Sequence, residues 1–397
     1  MTDAGPVMSC AVPLPLGPAR SRRGMVDVPL TTEEATPAFV TAALRAGGAI
    51  GQDTRVAEVE HEPMGIGVGI VGQLARLSLR YEGQAEGAPG TVVLKIPSQY
   101  PENRAVGDHF HFYEREGRFY REIGDKLGLR TPRCYWNHID TAADTFGLLL
   151  EDLSRRTMIS QVAGVEAERA AQALGALATL HGTWWGSPAL DGLDWMPRLD
   201  DPINLAAGQQ YRDAWPLFVE RLGDALPPTA LEIGERVQRA FEDLMRVGMA
   251  EAPVTICHGD FRVDNLLFDD AATGADRLAV IDWQISYRGP AVSDVAYFLC
   301  QSMAVEERRA HEDELVRGWY DRLVDATGGQ VGGELPAYSF EVAWAQYRRC
   351  ALTNTVYPVT GAGAMDPANE RGRELLTAMA TRSFSAVLEL GSDEFLP

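Results

Sequence analysis

Residues 254–284 read VTICHGDFRVDNLLFDDAATGADRLAVIDWQ, and the rest of the chain is best understood outward from them. The stretch opens with an apolar strand, Val254 to Cys257, followed by a loop that carries Asp260. A short strand from Asn265 to Phe268, a polar turn and a second apolar strand ending in Asp282 complete it. Apolar runs bounded by Asp, Gly and Thr clusters predict strands joined as a hairpin. Pairing those two strands sets Asn265 beside Asp282. Asp260 lies five residues before the Asn.

Moving a γ-phosphoryl group requires a divalent metal bridging phosphate oxygens and a carboxylate that orients the attacking hydroxyl. Catalysis is then mostly positioning and charge neutralisation. Protein kinases meet this need with a catalytic-loop Asp, an Asn five residues later and a further Asp on the metal. Asp260, Asn265 and Asp282 repeat that arrangement. Taken singly, each has a plain alternative: Asp260 capping a turn, Asn265 in an Asx-turn, Asp282 closing a strand. Together, with strands in the matching places, they favour phosphoryl transfer.

A chain of 397 residues accommodates two domains or one bilobal domain. Its apolar and charged fractions are those of a globular protein. The net charge of −20 argues against nucleic acid or an anionic membrane as principal partner, and no obligate protein partner is inferred. Cys10, Cys134, Cys257, Cys300 and Cys350 are scattered and form no CxxC pair, which indicates neither a disulfide framework nor a zinc site and fits a reducing, cytoplasmic compartment. No run approaches the roughly 18 apolar residues of a membrane span. Residues 1–24 read as a disordered tail, without the apolar core and small-residue cleavage site of a signal peptide.

Upstream, TTEEATPAFVTAALRAGG predicts a leading helix with Thr31 or Thr32 as N-cap and Gly47 and Gly48 as its stop. A strand follows, then the glycine-dense turn GIGVGIVG, then a strand with Ala75, Leu77, Leu79 and Tyr81 on one face. Gly65, Gly67 and Gly69 would let that turn approach phosphates closely, although a glycine-rich hairpin is often only a hairpin. It precedes a strand, whereas a dinucleotide fingerprint must open a helix, so the Rossmann reading fails. The next strand, TVVLKIPS, carries Lys95 within an apolar run, where an unpaired ammonium would be costly. The helix-like HFHFYEREGRFYREIGDKLGL supplies Glu114, Glu116 and Glu122 as candidate partners. Two more strands, in TPRCYW and TFGLLLEDL, lead to a polar crossing. There the backbone from Glu151 to Leu153 is a candidate contact for adenine.

From Gly164 the pattern turns helical, with Ala170, Leu174, Leu177, Ala178 and His181 on one stripe; His181 reads as a core histidine. Trp184, Trp185, Trp195, Tyr211, Trp215, Trp319, Trp344, Tyr347 and Tyr357 are mostly expected in the core. Any of them lining a cleft would suit a substrate with a large apolar body. Ser293 or Asp294 reads as a helix cap after Gly289 and Pro290. The short path beyond Asp282 leaves no room for an activation segment, and Gly259 stands where a regulated protein kinase has the Arg of its HRD motif.

With HGDFRVDNLLF, VIDWQ and SDVAYFL in place, residues 35–390 resemble the aminoglycoside phosphotransferase and choline kinase superfamily, and most of all its ecdysteroid-kinase-like branch. The resemblance implies an α+β, bilobal, protein-kinase-like fold: an antiparallel five-stranded N-lobe with one main helix (25–152) and a mostly helical C-lobe (153–397). It further implies Asp260 as the catalytic residue, Asn265 and Asp282 as Mg²⁺ ligands, Lys95 on the ATP phosphates fixed by Glu116, and Asp294 and His258 as structural. The implied activity is ATP- and Mg²⁺-dependent phosphorylation of a small-molecule hydroxyl. A steroid- or terpenoid-like alcohol is slightly favoured over an amino sugar or choline-like acceptor, and a catalytically silent nucleotide-binding scaffold is the alternative.

Overall fold

The computed structural model describes residues 27–64, 71–143, 145–329, 338–364 and 369–397. Helix α1 (Pro37–Ala46) precedes strands β1 (Arg55–Met64), β2 (Gly72–Glu82) and β3 (Thr91–Pro97). Helices α2 (Pro101–His109) and α3 (Phe112–Glu122) follow, then β4 (Cys134–Asp140) and β5 (Thr145–Glu151). These strands form one sheet in the order β1-β2-β3-β5-β4, every neighbouring pair antiparallel. The polar connection expected before α3 thus contains a second helix, α2.

Side chains alternate across a strand, so β3 divides its residues between two faces. Val92, Leu94 and Ile96 pack with Ala75, Leu77, Leu149 and the Val40–Leu44 stripe of α1. Val93 lies on the opposite face with Phe146, Leu148, Leu150 and Tyr113 of α3. Lys95 shares the face of Val93, which turns it toward α3. The predicted cap of α1 is displaced: Thr31 and Thr32 border a 3₁₀ turn, and Thr36 caps α1 by accepting from Phe39 N at 3.2 Å. Pro37 at the first helical position favours this later start.

The remaining chain is mostly helical: β6 (Thr157–Met158), α4 (Ala167–Trp184), α5 (Pro202–Leu222), α6 (Pro228–Ala250), β7 (Val254–Cys257), β8 (Leu266–Phe268), β9 (Leu278–Val280), β10 (Tyr287–Pro290), α7 (Val292–Ser302), α8 (Val305–Ala326), α9 (Phe340–Thr353), α10 (Val356–Ala364) and α11 (Glu370–Glu389). Every residue of α7 is buried, which makes it the axis about which α4, α8, α9 and α11 pack. β8 and β9 pair antiparallel with Leu266 opposite Val280, and Ile281 N continues the ladder to Asn265 O at 3.1 Å. The four described cysteines are free. Among the described residues no helix is long and apolar enough to cross a membrane.

Adjacent glycines at the end of α1 separate two causes of glycine dependence. Gly48 has φ +71° and open space around it, so a side chain there would meet only backbone strain of roughly 1–2 kcal/mol. Gly47 has an ordinary φ of −84°, but a Cβ there would sit 1.6 Å from the Tyr135 carbonyl oxygen of β4. Gly47→Ala must lift α1 off the sheet, at about 3 kcal/mol. Urea denaturation is expected to rank Gly47→Ala well below Gly48→Ala, even though only the latter occupies the left-handed region.

Candidate active site

Lys95 is 8 % exposed, and its Nζ lies 2.6 Å from Glu116 Oε2 and 2.8 Å from Asp282 Oδ1. β3 and α3 supply the first pair through the face they share, and the chain beyond β9 supplies the third group. Burial alone would push the ammonium down, yet the charges of Asp282 and Glu116 outweigh it and hold Lys95 above its usual range. Burial likewise pushes the carboxyls up. At Asp282 the charge and hydrogen bond of Lys95 reverse this and hold the carboxyl low, whereas burial prevails at Glu116 and raises it to about 7. One cation facing two anions cannot fully satisfy both, and Asp282 keeps its charge the more firmly. The other carboxylates named from sequence point elsewhere. Glu114 lies 3.6 Å from Arg118, and Glu122 takes bonds from Arg118 and the Trp195 indole.

Asp282 does not end the strand but lies two residues past it, at φ +65°. That left-handed turn points its carboxylate back at Lys95 and leaves Oδ2 with only a 3.5 Å contact from Gln284. The next residue, Trp283, is fully buried, stacked on Phe119 of α3 with centroids 4.2 Å apart and edge-on to His258.

The loop carrying Asp260 is held from beneath. Asp294 lies inside α7 rather than capping it, and its carboxylate accepts from His258 N at 2.7 Å and Gly259 N at 3.0 Å. His181 donates to the same carboxylate from Nε2 at 3.4 Å; its Nδ1 accepts from the Trp319 indole, which fixes the tautomer. The cluster of His181, Cys257 and Asp294 is therefore a bracing network, with its carboxylate already committed. His258 Nδ1 accepts from Asp260 N, so its Nε2–H faces Ile281 O at 2.9 Å and ties the loop to β9. Gly259 has φ +84°, and a Cβ there would lie 2.5 Å from Ile285 O. An Arg at this position would not fit.

Three side chains converge on the Asp260 carboxylate. Asn265 Nδ2 donates to Oδ2 at 3.1 Å and to the Asp260 carbonyl at 2.9 Å; Tyr297 donates to Oδ1 at 2.7 Å; Arg262 Nε lies 3.4 Å from Oδ1. Asn265 spends its NH₂ on Asp260, and no described hydrogen bond uses its carbonyl oxygen. The side-chain oxygen of Asn265 (Oδ1) and Asp282 Oδ2 are hard oxygen donors of the kind Mg²⁺ takes.

At the end of β5 the Glu151 carboxylate is clamped by Arg130 at 2.5 Å and by Arg133 N at 2.9 Å, and the Glu151 N–H is spent on the Arg133 carbonyl. The Leu153 carbonyl accepts from Arg156, but its N–H has no partner among the described residues. Leu153 packs with Leu267, Ala279 and Ile281, an apolar floor suited to a flat ring. Gly65, Gly67 and Gly69 lie outside the described residues.

Residues 80–338 match the phosphotransferase enzyme family. The chain belongs to this family. A mouse acyl-CoA dehydrogenase family member 10 is 29 % identical over 134 residues, which cover 30 % of this chain and 12 % of that protein. An uncharacterized kinase-like protein of Caenorhabditis elegans is 29 % identical over 206 residues, 49 % of this chain and 51 % of that one. The chain thus spans about half or less of the curated relatives it matches. Choline kinase from Cryptosporidium parvum shares the fold, with a TM-score of 0.53 at 12 % identity over 84 % of this chain and 89 % of that one.

Beside the Asp260 loop lies a cavity of about 780 Å³ lined mostly by apolar side chains of α2, α3, α5, α6, α9 and α10. Asp260 is not among its lining residues. Tyr357 is, and its hydroxyl donates to the Gly259 carbonyl at 2.5 Å while its ring packs 4.1 Å from Tyr297. Of the aromatics named from sequence only Tyr357 lines this cavity; Trp184, Trp195, Tyr211, Trp215, Trp319 and Tyr347 are buried in the core. The apolar wall comes instead from Phe110, Phe112, Ile203, Leu217, Phe241 and Met245. Sequence reading also missed Tyr297 and Arg262, whose only signal was proximity to the motifs.

Replacing Lys95 by Met leaves Glu116 buried without a counter-charge, which costs about 3–5 kcal/mol. Without the cation both carboxylates take up protons more readily folded than unfolded, so folding stability rises as pH falls. Urea melts of Lys95→Met are expected to show a smaller deficit at about pH 5.5 than at about pH 8.

Proposed function

We propose that this chain transfers the γ-phosphoryl group of ATP, with Mg²⁺, to a hydroxyl of a small, largely apolar alcohol of steroid- or terpenoid-like size. The observation that carries this is the juxtaposition of the Asp260 carboxylate, the Asn265 and Asp282 oxygens and the Lys95 ammonium next to a large apolar cavity. Mg²⁺ and ATP supply the phosphoryl donor and its charge neutralisation. Asn265 and Asp282 would hold the metal, Lys95 the phosphates, and the Leu153 N–H the adenine edge above Leu267 and Ala279. Residues 25–152 would then form the nucleotide-binding lobe, and residues 153–397 the lobe for catalysis and the acceptor.

Asp260 accepts a hydrogen bond from the acceptor hydroxyl and takes its proton as the new O–P bond forms and the bond to ADP breaks. The Arg262 guanidinium faces the Asp260 carboxylate, with Nε 3.4 Å from Oδ1. Tyr297, whose own proton is held tightly because burial and the neighbouring Asp260 charge disfavour its phenolate, fixes the carboxylate's rotamer without competing as a base.

The volume of the cavity lies within the roughly 300–1,000 Å³ of ligand pockets. Among the described residues its only acidic lining residue is Asp213, which is exposed, so a choline-like or amino-sugar cation would find no buried carboxylate among them. Labelled-phosphate transfer from ATP to a panel of steroid and terpenoid alcohols, amino sugars and choline tests the reading. The alcohols are expected to turn over best, with Asp260→Asn reducing kcat by about 10²–10⁴-fold. Nucleotide binding without transfer to any alcohol would overturn it in favour of a silent scaffold, and an Asp260→Asn variant as active as the parent would remove the mechanism. Chelation of divalent ions should abolish transfer while leaving the fold, followed by circular dichroism, intact.

A further inference from the structure

Arg115, the residue before Glu116 on α3, is 2 % exposed and lines the cavity beside Val71, Phe110 and Phe112. Among the described residues its Nε and Nη2 have no hydrogen-bond partner, and the guanidinium lies over the Phe112 ring, 5.8 Å from Cζ to the centroid. The neighbouring carboxylates are already engaged: Glu116 with Lys95, and Glu114 with Arg118. Burial without a counter-charge pulls Arg115 down to about 10, in contrast to Arg262 and Arg308, which carboxylates hold above their usual range. A buried guanidinium with idle donors is unfavourable unless something anionic meets it, and its planar fork matches a carboxylate in particular.

Among the described residues the rest of the cavity offers no such anion. Asp213 is exposed and engaged by Gln209, and the other arginine in the wall, Arg349, is neutralised by Glu251. The described lining therefore carries one unmatched buried positive charge among mostly apolar side chains, with Tyr357, which bonds to the Gly259 carbonyl of the Asp260 loop, at another part of the wall.

We propose that Arg115 receives an anionic group of the acceptor, making the substrate an amphipathic hydroxy acid: an apolar body with a hydroxyl directed to Asp260 and a carboxylate on Arg115. This rests on the acceptor-side reading of the cavity given above and narrows it from an apolar alcohol to an apolar alcohol bearing an acid. The anion belongs to the acceptor rather than to the nucleotide, because Arg115 shares its cavity with α5, α6, α9 and α10, whereas Lys95 and Asp282 do not line it.

Equilibrium binding separates this from the transfer reaction. Lithocholic acid and ω-hydroxypalmitic acid, each paired with its methyl ester, are titrated against the full chain, the Asp260→Asn variant, Arg115→Met and Arg115→Lys. At least one acid is expected to bind the parent roughly ten- to a hundredfold more tightly than its ester, the range of a charged hydrogen bond. Asp260→Asn should keep that preference, so binding reads Arg115 even where no phosphate is transferred. Arg115→Met should lose it, Arg115→Lys should retain part of it, and Arg115→Met should melt no lower than the parent because it removes an unmatched buried charge. Equal binding of acid and ester in the parent, or an undiminished preference in Arg115→Met, overturns the proposal. So does weakening of Mg²⁺–ATP binding by Arg115→Met with the preference intact, which would assign the anion to the nucleotide.

Discussion

A single ammonium, Lys95, stands between carboxylates from two distant parts of the chain, Glu116 on α3 and Asp282 beyond β9. The sheet presents the cation, the helix packed on that face fixes it, and the polypeptide some 187 residues later brings the second anion. In a buried setting such a group is stable only if its partners are held in good geometry. Much of the surrounding packing serves that end, from the Val93, Leu148 and Tyr113 cluster that seats α3 on the sheet to the Trp283 and Phe119 stack that ties α3 to the Asp282 turn. The charges do not balance locally, which leaves Asp282 with an oxygen to offer.

The catalytic loop is built by a different device. Asp294 sits inside a helix buried on every face and uses both carboxylate oxygens on the backbone N–H groups of His258 and Gly259. His181 and Trp319 orient that carboxylate from behind, in a chain of donors and acceptors with defined tautomers. Charge-assisted bonds of this kind are stronger than neutral ones and fix the loop to the rigid part of the molecule. The Asp260 side chain is then aimed by Asn265 and Tyr297 from either side. Residues 281–286 alone connect β9 to β10, so Asp282 lies close in sequence to α7 and its Asp294.

How much of this could be read from the sequence depended on whether the information was local. Period-two alternation in β2 and β3, the β8–β9 hairpin and the helical stripe with His181 are short-range patterns, and the structure follows them, although the hairpin register sets Asn265 opposite Ile281 rather than Asp282. Asp294 as a brace was reached through family likeness; local cap chemistry misplaced it at the start of α7, because nothing nearby marks Ala291 as the first turn's boundary. Thr36 displaced Thr31 and Thr32 because Pro37 sets the start of α1. The aromatic residues named from sequence lie mostly in the core, as expected; composition says that large rings exist, while only packing decides that Tyr357 reaches the cavity. Arg115 has no sequence signature, and the motif that contains Tyr297 and the composition that flags Tyr357 do not assign their roles, since their positions relative to Asp260 and the cavity arise from the docking of α3, α7 and α10.

The left-handed turn at Asp282 bears on how such a chain changes over time. At φ +65° the residues most at ease are Gly and Asn, and an Asp tolerates the conformation with some strain. Drift toward Asn or Gly at this position would therefore relax the backbone while discarding the charge that Lys95 faces. The folded population would scarcely register the loss of that strained carboxylate's chemistry, beyond the weakened pair with Lys95. Under the proposed metal-binding role of Asp282, such a substitution would remove function while leaving Glu116 to pair Lys95.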